Sequence, residues 1–290
     1  AERTVIEGEG KQIMRFTSGE GRDSVLDGFT LTHGSAPFGG ALYIEGSSPT
    51  LSNCNMRENS AMGSSESNGA SGGAVFMFES SVIFEHCSFT ENRAGVSTQY
   101  DVSPTGGAIG IMYSNPEIIN CSFTRNMSGS LFSTGFGAGG GIRMYASEAL
   151  IEDCSFVENS VNDVTNGEGG AIHAYSSLVL LYNSVFYKNE AGDGGAAYLF
   201  LSQSLIKNSS FVRNLAITAE TNGRGNGGGL LIYGDSVNPE IQNCRLSENK
   251  ASNYGGGIHI LGGHANIRRS TLTMNEAQKG CALYLSLIHI

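Results

Sequence analysis

The sequence has no tryptophan, only five prolines, and no apolar run near the ~20 residues with which a helix spans a bilayer. A transmembrane segment is therefore not expected in this stretch. Positive charge is also scarce: 17 basic residues face 27 acidic ones, for a net charge of −10. That balance argues against nucleic acid or an anionic membrane as a partner, since both demand a basic surface. The six cysteines include no CxxC pair, so a zinc site has no support, and no cofactor is expected. The chain starts at Ala1 with no visible signal peptide, which leaves the route of any export open.

What the sequence has in excess is glycine, 41 residues of 290. Such richness can mean disorder, but here it is positional. A Gly-Gly-small-aliphatic signal recurs nine times, beginning at Gly39, Gly72, Gly106, Gly139, Gly169, Gly194, Gly227, Gly255 and Gly280, with Cys281 replacing the second glycine in the last copy. A second signal, small–x–large apolar–x–x–Asn, follows each of the first eight and closes at Asn59, Asn92, Asn126, Asn159, Asn189, Asn214, Asn249 and Asn275. From first glycine to closing asparagine the distance is 20 residues in seven copies and 22 in one, whereas from asparagine to the next glycine it varies from 5 to 14. A constant segment joined by one variable segment is a stacked coil with insertions at a single corner.

Within the constant segment the apolar residues alternate, as in Leu42/Ile44, Ile109/Ile111 and Ile142/Met144, which predicts a strand with one buried face. A second strand turns Leu51, Phe84, Ile118, Ile151, Leu181, Ile206, Ile241 and Ile267 inward, and a third buries Met56, Phe89, Phe123, Phe156, Phe186, Phe211, Leu246 and Leu272. The expectation is an all-β, right-handed parallel β-helix of about ten coils with three short strands each, the hand following the general rule for parallel crossovers. It forms one domain over residues 1–284. The last six residues, LSLIHI (285–290), read like the translation of a sequencing-adapter sequence and are set apart, although Leu285 also fits the repeat. The glycine pairs suit corners that need positive φ or close backbone approach, and the asparagines suit an inward ladder of side-chain amides. In the entry coils, Leu31 aligns with the phenylalanine column and Gly34 with the asparagine column.

The alternation of GGA(I/L/V) with FxxN resembles the repeats of chlamydial polymorphic outer-membrane proteins and, more broadly, pectate-lyase-like β-helix repeats of bacterial surface proteins. The resemblance runs from Asp27 to Leu283. It implies an extracellular or cell-surface location, associated with the outer membrane, and a role in adhesion. The NTD, GHG and RIK motifs of pectin-hydrolysing β-helices are missing, as is any Asp-Asp pair.

Five cysteines (Cys54, Cys87, Cys121, Cys154 and Cys244) share a column with Ser184, Ser209 and Ser270, which points to small-residue packing rather than to disulfides or metal. Three Asn-x-Ser sequons, at Asn120, Asn126 and Asn208, are assigned to the asparagine columns, where inward side chains would escape glycosylation. The outward face of the Gly-Gly strand carries Arg143, His173 and Tyr198 on three adjacent coils, and a neighbouring outward column holds Phe78, Tyr145, Tyr175, Phe200 and Tyr233. Such aromatics could form a platform for sugar rings, although aromatic residues also simply suit exposed strands. Insertions at 60–71, 93–105, 127–138, 160–168 and 215–226 would wall this stripe on one edge, with a gap at the short corner Glu190–Asp193 beside His173 and Tyr198. Three functions fit: non-catalytic binding of a polysaccharide or cell-surface glycan through Tyr145, Tyr175, Phe200, Tyr233 and Phe78; a polysaccharide lyase or glycoside hydrolase working through Arg143, His173 and Tyr198; or a structural spacer.

Overall fold

The computed structural model describes residues 4–63, 69–96, 104–129, 137–162, 167–218 and 223–286. Every regular element among them is a β-strand, and each coil's strands pair in parallel with those of the coils on either side. The Gly-Gly strands form a ten-stranded sheet from Met14–Phe16 to Leu283–Ser286, the second strands a nine-stranded sheet, and the phenylalanine strands another ten-stranded sheet. Register is the one the columns require. Met77 lies opposite Ile44 and Ile111, Phe84 opposite Leu51 and Ile118, and Phe89 opposite Met56 and Phe123. The rings from Phe89 to Phe211 stack at 4.6–4.7 Å, the spacing of neighbouring strands. Leu31 pairs with Met56, and Gly34 N–H donates to Asn59 Oδ1 at 2.9 Å, as the alignment of the entry coils implied.

The asparagine column is an interior ladder. From Asn59 to Asn249 each Nδ2 donates to the next Oδ1 at 2.9–3.1 Å. The same amide also donates to a carbonyl of the buried column one coil back, such as Phe123 O for Asn159. These bonds satisfy backbone groups at a corner where no strand ladder is available.

A fourth sheet extends the three-strand expectation. Eight short strands, from Ser35–Ala36 to Lys250–Ala251, run immediately after the asparagine corner. Their second residue is small or β-branched (Ala61, Ala94, Ser128, Val161, Ala191, Ala216, Ala251) and buried. This sheet explains the division of labour within each glycine pair. The first glycine of every pair has φ between +62° and +68°. The second lies against the first residue of a fourth-sheet strand, so that a Cβ on Gly73 would press on the Arg93 backbone and one on Gly107 on that of Met127. Cys281 stands in this position in the last described coil, where it is exposed.

The cysteine column is buried, and its members are free thiols. Each Sγ lies near carbonyls, as Cys154 does with Glu152 O at 3.2 Å, and burial pushes the Cys244 thiol up. In the serine coils the hydroxyl takes over the same corner, Ser184 Oγ accepting from Cys154 N–H at 3.1 Å. Two sequon placements need correction. Asn126 lies in the ladder, but Asn120 and Asn208 are exposed, at φ +52° and +53°, on the turn just before the cysteine column. They belong to a separate outer column in which Asn208 donates to Asn183 at 3.2 Å and Asn243 to Asn208 at 3.2 Å. Asparagine recurs there because it tolerates the left-handed turn, not because it faces the core. Of the six terminal residues, Leu285 and Ser286 continue the Gly-Gly sheet opposite Ile260 and Leu261, and 287–290 lie outside the described residues.

Candidate functional site

Strand alternation sends Ile142 and Met144 into the core and Arg143 and Tyr145 away from it. The two outward columns then meet different surroundings. Phe76, His173, Tyr198, Leu231 and His259 are buried, where open exposure was expected. The cause is the glycine corner, whose left-handed turn folds the preceding residue back over the strand. Phe38 sits 5.1 Å from Phe76, Tyr254 5.8 Å from His259, and Glu168 bonds to His173. These covering residues form a column of their own, linked by parallel bridges such as Ala138 to Glu168 and Glu168 to Asp193.

Arg143, His173 and Tyr198 are register neighbours on three successive coils. They line a cleft of about 330 Å³ together with Glu168, Tyr175 and Phe200. The sequence reading had brought the first three together; it missed Glu168. His173 Nε2 donates to Glu168 Oε2 at 3.1 Å, with both side chains buried. Arg224, from the 215–226 insertion, reaches over the short corner. Its Nη1 lies 3.2 Å from Glu168 Oε1 and 3.4 Å from Asp193 Oδ2. Asp193 Oδ1 in turn accepts from Gly225 N–H at 3.0 Å and Asn226 N–H at 2.8 Å, which anchors the end of that insertion. The gap at Glu190–Asp193 is therefore bridged by one guanidinium. The central residues of the insertions (64–68, 97–103, 130–136, 163–166 and 219–222) lie outside the described residues, and so does the wall they were expected to build.

Burial governs the titration of this cluster. It pushes the His173 imidazole down, against the pull of Glu168, so the ring is neutral near pH 7. It pushes the Tyr198 phenol well above its usual range. It also raises the Asp193 carboxyl, a shift opposed by the Asn226 amide and by Arg224. Neutral imidazole on carboxylate, with a second carboxylate beside it, is an arrangement that can accept hydrogen bonds and exchange protons with a bound molecule.

The second outward column is half-buried and continuous. Tyr145 and Tyr175 stack at 5.4 Å with an interplanar angle of 3°, Phe200 follows at 5.1 Å, and Tyr233 lies 5.0 Å beyond. Phe78 joins through Tyr113, which the sequence reading passed over because Met112 occupies the column at that coil. The near-parallel Tyr145 and Tyr175 rings cover one another's faces, so that pair offers edges and hydroxyls where a platform of open faces was expected, while Phe200 and Tyr233 are tilted by 45° and 38° from the rings before them. Tyr113 differs: it stands at 87° to Phe78 and 88° to Tyr145 and is 50% exposed. Among the described residues, no group of three or more histidine, cysteine or acidic side chains is placed to hold a metal, and no helix is long and apolar enough to cross a membrane.

A family model described as right handed beta helix region matches residues 17–162 and 137–287. No curated protein matches the chain. Among solved structures, HetL, a pentapeptide repeat protein involved in heterocyst differentiation regulation from the cyanobacterium Nostoc sp. strain PCC 7120, is 9% identical over 94% of this chain and 93% of its own, with a TM-score of 0.20. The tailspike protein gp49 from Pseudomonas phage LKA1 is 12% identical over 91% of this chain and 48% of its own, with a TM-score of 0.21. Likenesses of that degree carry no inference about this molecule.

Proposed function

The chain belongs to the right-handed β-helix family, and we propose that the Gly-Gly face of its coil binds glycan, without chemistry, outside the cell or at its surface. One observation carries this reading: the cleft in which Arg143, Glu168, His173 and Tyr198 converge against the Tyr175 and Phe200 rings. Concave sites that combine apolar walls with a few convergent polar groups are where small polar ligands are held. The aromatic column extends that wall over several coils, a length suited to an oligosaccharide lying along the axis. An adhesive role fits the likeness of the GGA(I/L/V) and FxxN repeats to those of chlamydial surface proteins. Replacing Tyr145, Tyr175 and Phe200 together by alanine should weaken glycan binding at least tenfold, on the order of 1.4 kcal/mol. Array binding followed by calorimetry on the strongest hit measures it; unchanged affinity would remove the column from the site.

A second reading, hydrolysis or lyase cleavage of the polysaccharide, draws on the two carboxylates. Glu168 and Asp193 lie on adjacent coils and share one Arg224 nitrogen, a separation compatible with the ~5–10 Å between paired glycosidase carboxylates. In this reading Arg143 holds the substrate and the His173–Glu168 pair moves a proton. Incubation with neutral and uronate-containing polysaccharides should then release new reducing or unsaturated ends. A screen without product leaves binding alone.

A further inference from the structure

We infer that the cleft selects glycans by an anionic substituent, a carboxylate or sulfate ester on the sugar, received by Arg143; this rests on the glycan-binding reading above. Arg143 is a half-buried cation without a contact anion among the described residues. Three arginines of the coil lie 2.7 Å from carboxylates, Arg22 from Glu117, Arg125 from Glu91 and Arg213 from Glu248, whereas the Nε of Arg93, outside the cleft, is buried without a hydrogen-bond partner. Arg143 forms no ion pair among the described residues, and its Nε is fully buried without a hydrogen-bond partner. A buried guanidinium nitrogen left unsatisfied is costly, and a sheltered cation needs an anion or a full set of acceptors.

The groups packed around it do not supply one. Gly110 and Met112 flank it on the preceding coil and His173 and Tyr175 on the next, while the Tyr145 ring lies 5.7 Å from its guanidinium carbon. Glu168, the acidic residue of the cleft, is committed to His173 and Arg224. Asp193 is committed to Arg224 and the 225–226 amides. Both carboxylates are thus drawn to Arg224, and Arg143 is left without a contact anion although the four charges sum to zero. The cleft therefore offers an unpaired guanidinium on a chain of net charge −10. Long-range steering does not favour an anion, so recognition has to come from contact. A planar carboxylate or a sulfate suits a guanidinium fork in a way that a hydroxyl does not.

The test compares cellohexaose with its C6-oxidised uronate form and its C6-sulfated form, so that one backbone carries no charge, carboxylate or sulfate. Binding is measured by calorimetry. The Arg143 Nε–H resonance is followed by NMR during titration with glucose, glucuronate and glucose 6-sulfate. At least one acidic hexamer should bind tenfold or more tightly than the neutral one, and the matching monosaccharide should shift the Arg143 signal while glucose does not. The better of the two arms identifies the substituent. Arg143→Gln should abolish the acidic preference, and Arg143→Lys should retain part of it, with circular dichroism verifying that both variants fold. Equal affinity for the three hexamers overturns this inference and leaves glycan binding standing. No binding of any hexamer, together with an unmoved Arg143 signal, overturns both.

Discussion

Replacing Gly140 by alanine should cost more than about 4 kcal/mol, enough to leave little folded protein. The second glycine of the pair sits where two backbones meet. A Cβ there would overlap Gly170 O on the next coil and lie 2.5 Å from Ser160 O and 2.6 Å from Ser160 N. None of these atoms belongs to a flexible side chain. Ser160 N–H is held by Asn126 O at 3.0 Å, and Gly140 N–H by Gly169 O at 3.2 Å, so relief in one direction breaks a ladder in the other. Overpacking that only shifts side chains costs about 1–3 kcal/mol; here the frame itself must move. Gly46 provides the control. Unlike Gly140 it has positive φ, +58°, and nothing lies within 4 Å of its added Cβ, so Gly46→Ala should cost only the left-handed penalty of about 1–2 kcal/mol. Urea unfolding followed by circular dichroism separates the two, and equal midpoint shifts would refute the packing argument.

Much of this frame was legible in the sequence because a coil that stacks on itself must repeat its chemistry wherever space is tight. Phe123, Phe156 and Phe186 recur because rings fill a core of fixed cross-section, and Asn126, Asn159 and Asn189 recur because one amide bonds to the next. The fourth sheet was harder to see. Its mark, a small residue two places after the asparagine (Ala61, Ala94, Ala191, Ala216, Ala251), falls in a segment that varies in length and so reads as insertion. The same blind spot hid Glu168. The residue before each glycine pair occupies a fixed position, yet its identity runs from Phe38 through Ser71, Thr105 and Ala138 to Glu168, Asp193, Asn226, Tyr254 and Lys279. Geometry is constant there while chemistry is free, because that residue packs outward against whatever its own or the next Gly-Gly strand presents. Aligning by the glycines alone would have paired Glu168 with His173. Arg224 had no such signal, since its approach depends on the path of the 215–226 insertion. Exposure of the Arg143–His173–Tyr198 column was misjudged for the same reason: strand alternation tells which way a side chain points, and not what folds back over it.

Asn159→Ala should destabilise the chain by about 4 kcal/mol. Its amide takes part in four buried hydrogen bonds. Nδ2 donates to Asn189 Oδ1 at 3.0 Å and to Phe123 O at 2.9 Å. Oδ1 accepts from Asn126 N–H at 3.0 Å and from Asn126 Nδ2 at 3.0 Å. Alanine leaves the Asn126 amide and the Phe123 carbonyl without these partners, and an unsatisfied buried group costs about 1–3 kcal/mol. No water can easily replace the lost atoms, because Asn159 is fully buried, as are Asn126 and Asn189 on either side of it in the ladder. Asn120→Ala is the matched control: the same residue type, exposed and at φ +52°, should lose about 1 kcal/mol or less. The damage should also be local. In a stack where each coil touches only its neighbours, a weakened interface lowers cooperativity as well as midpoint, so the urea transition of Asn159→Ala should broaden and the Asn126 amide should exchange with solvent faster. If both variants lose the same stability, the inner ladder contributes no more than the outer one, and the coils are held by apolar packing alone.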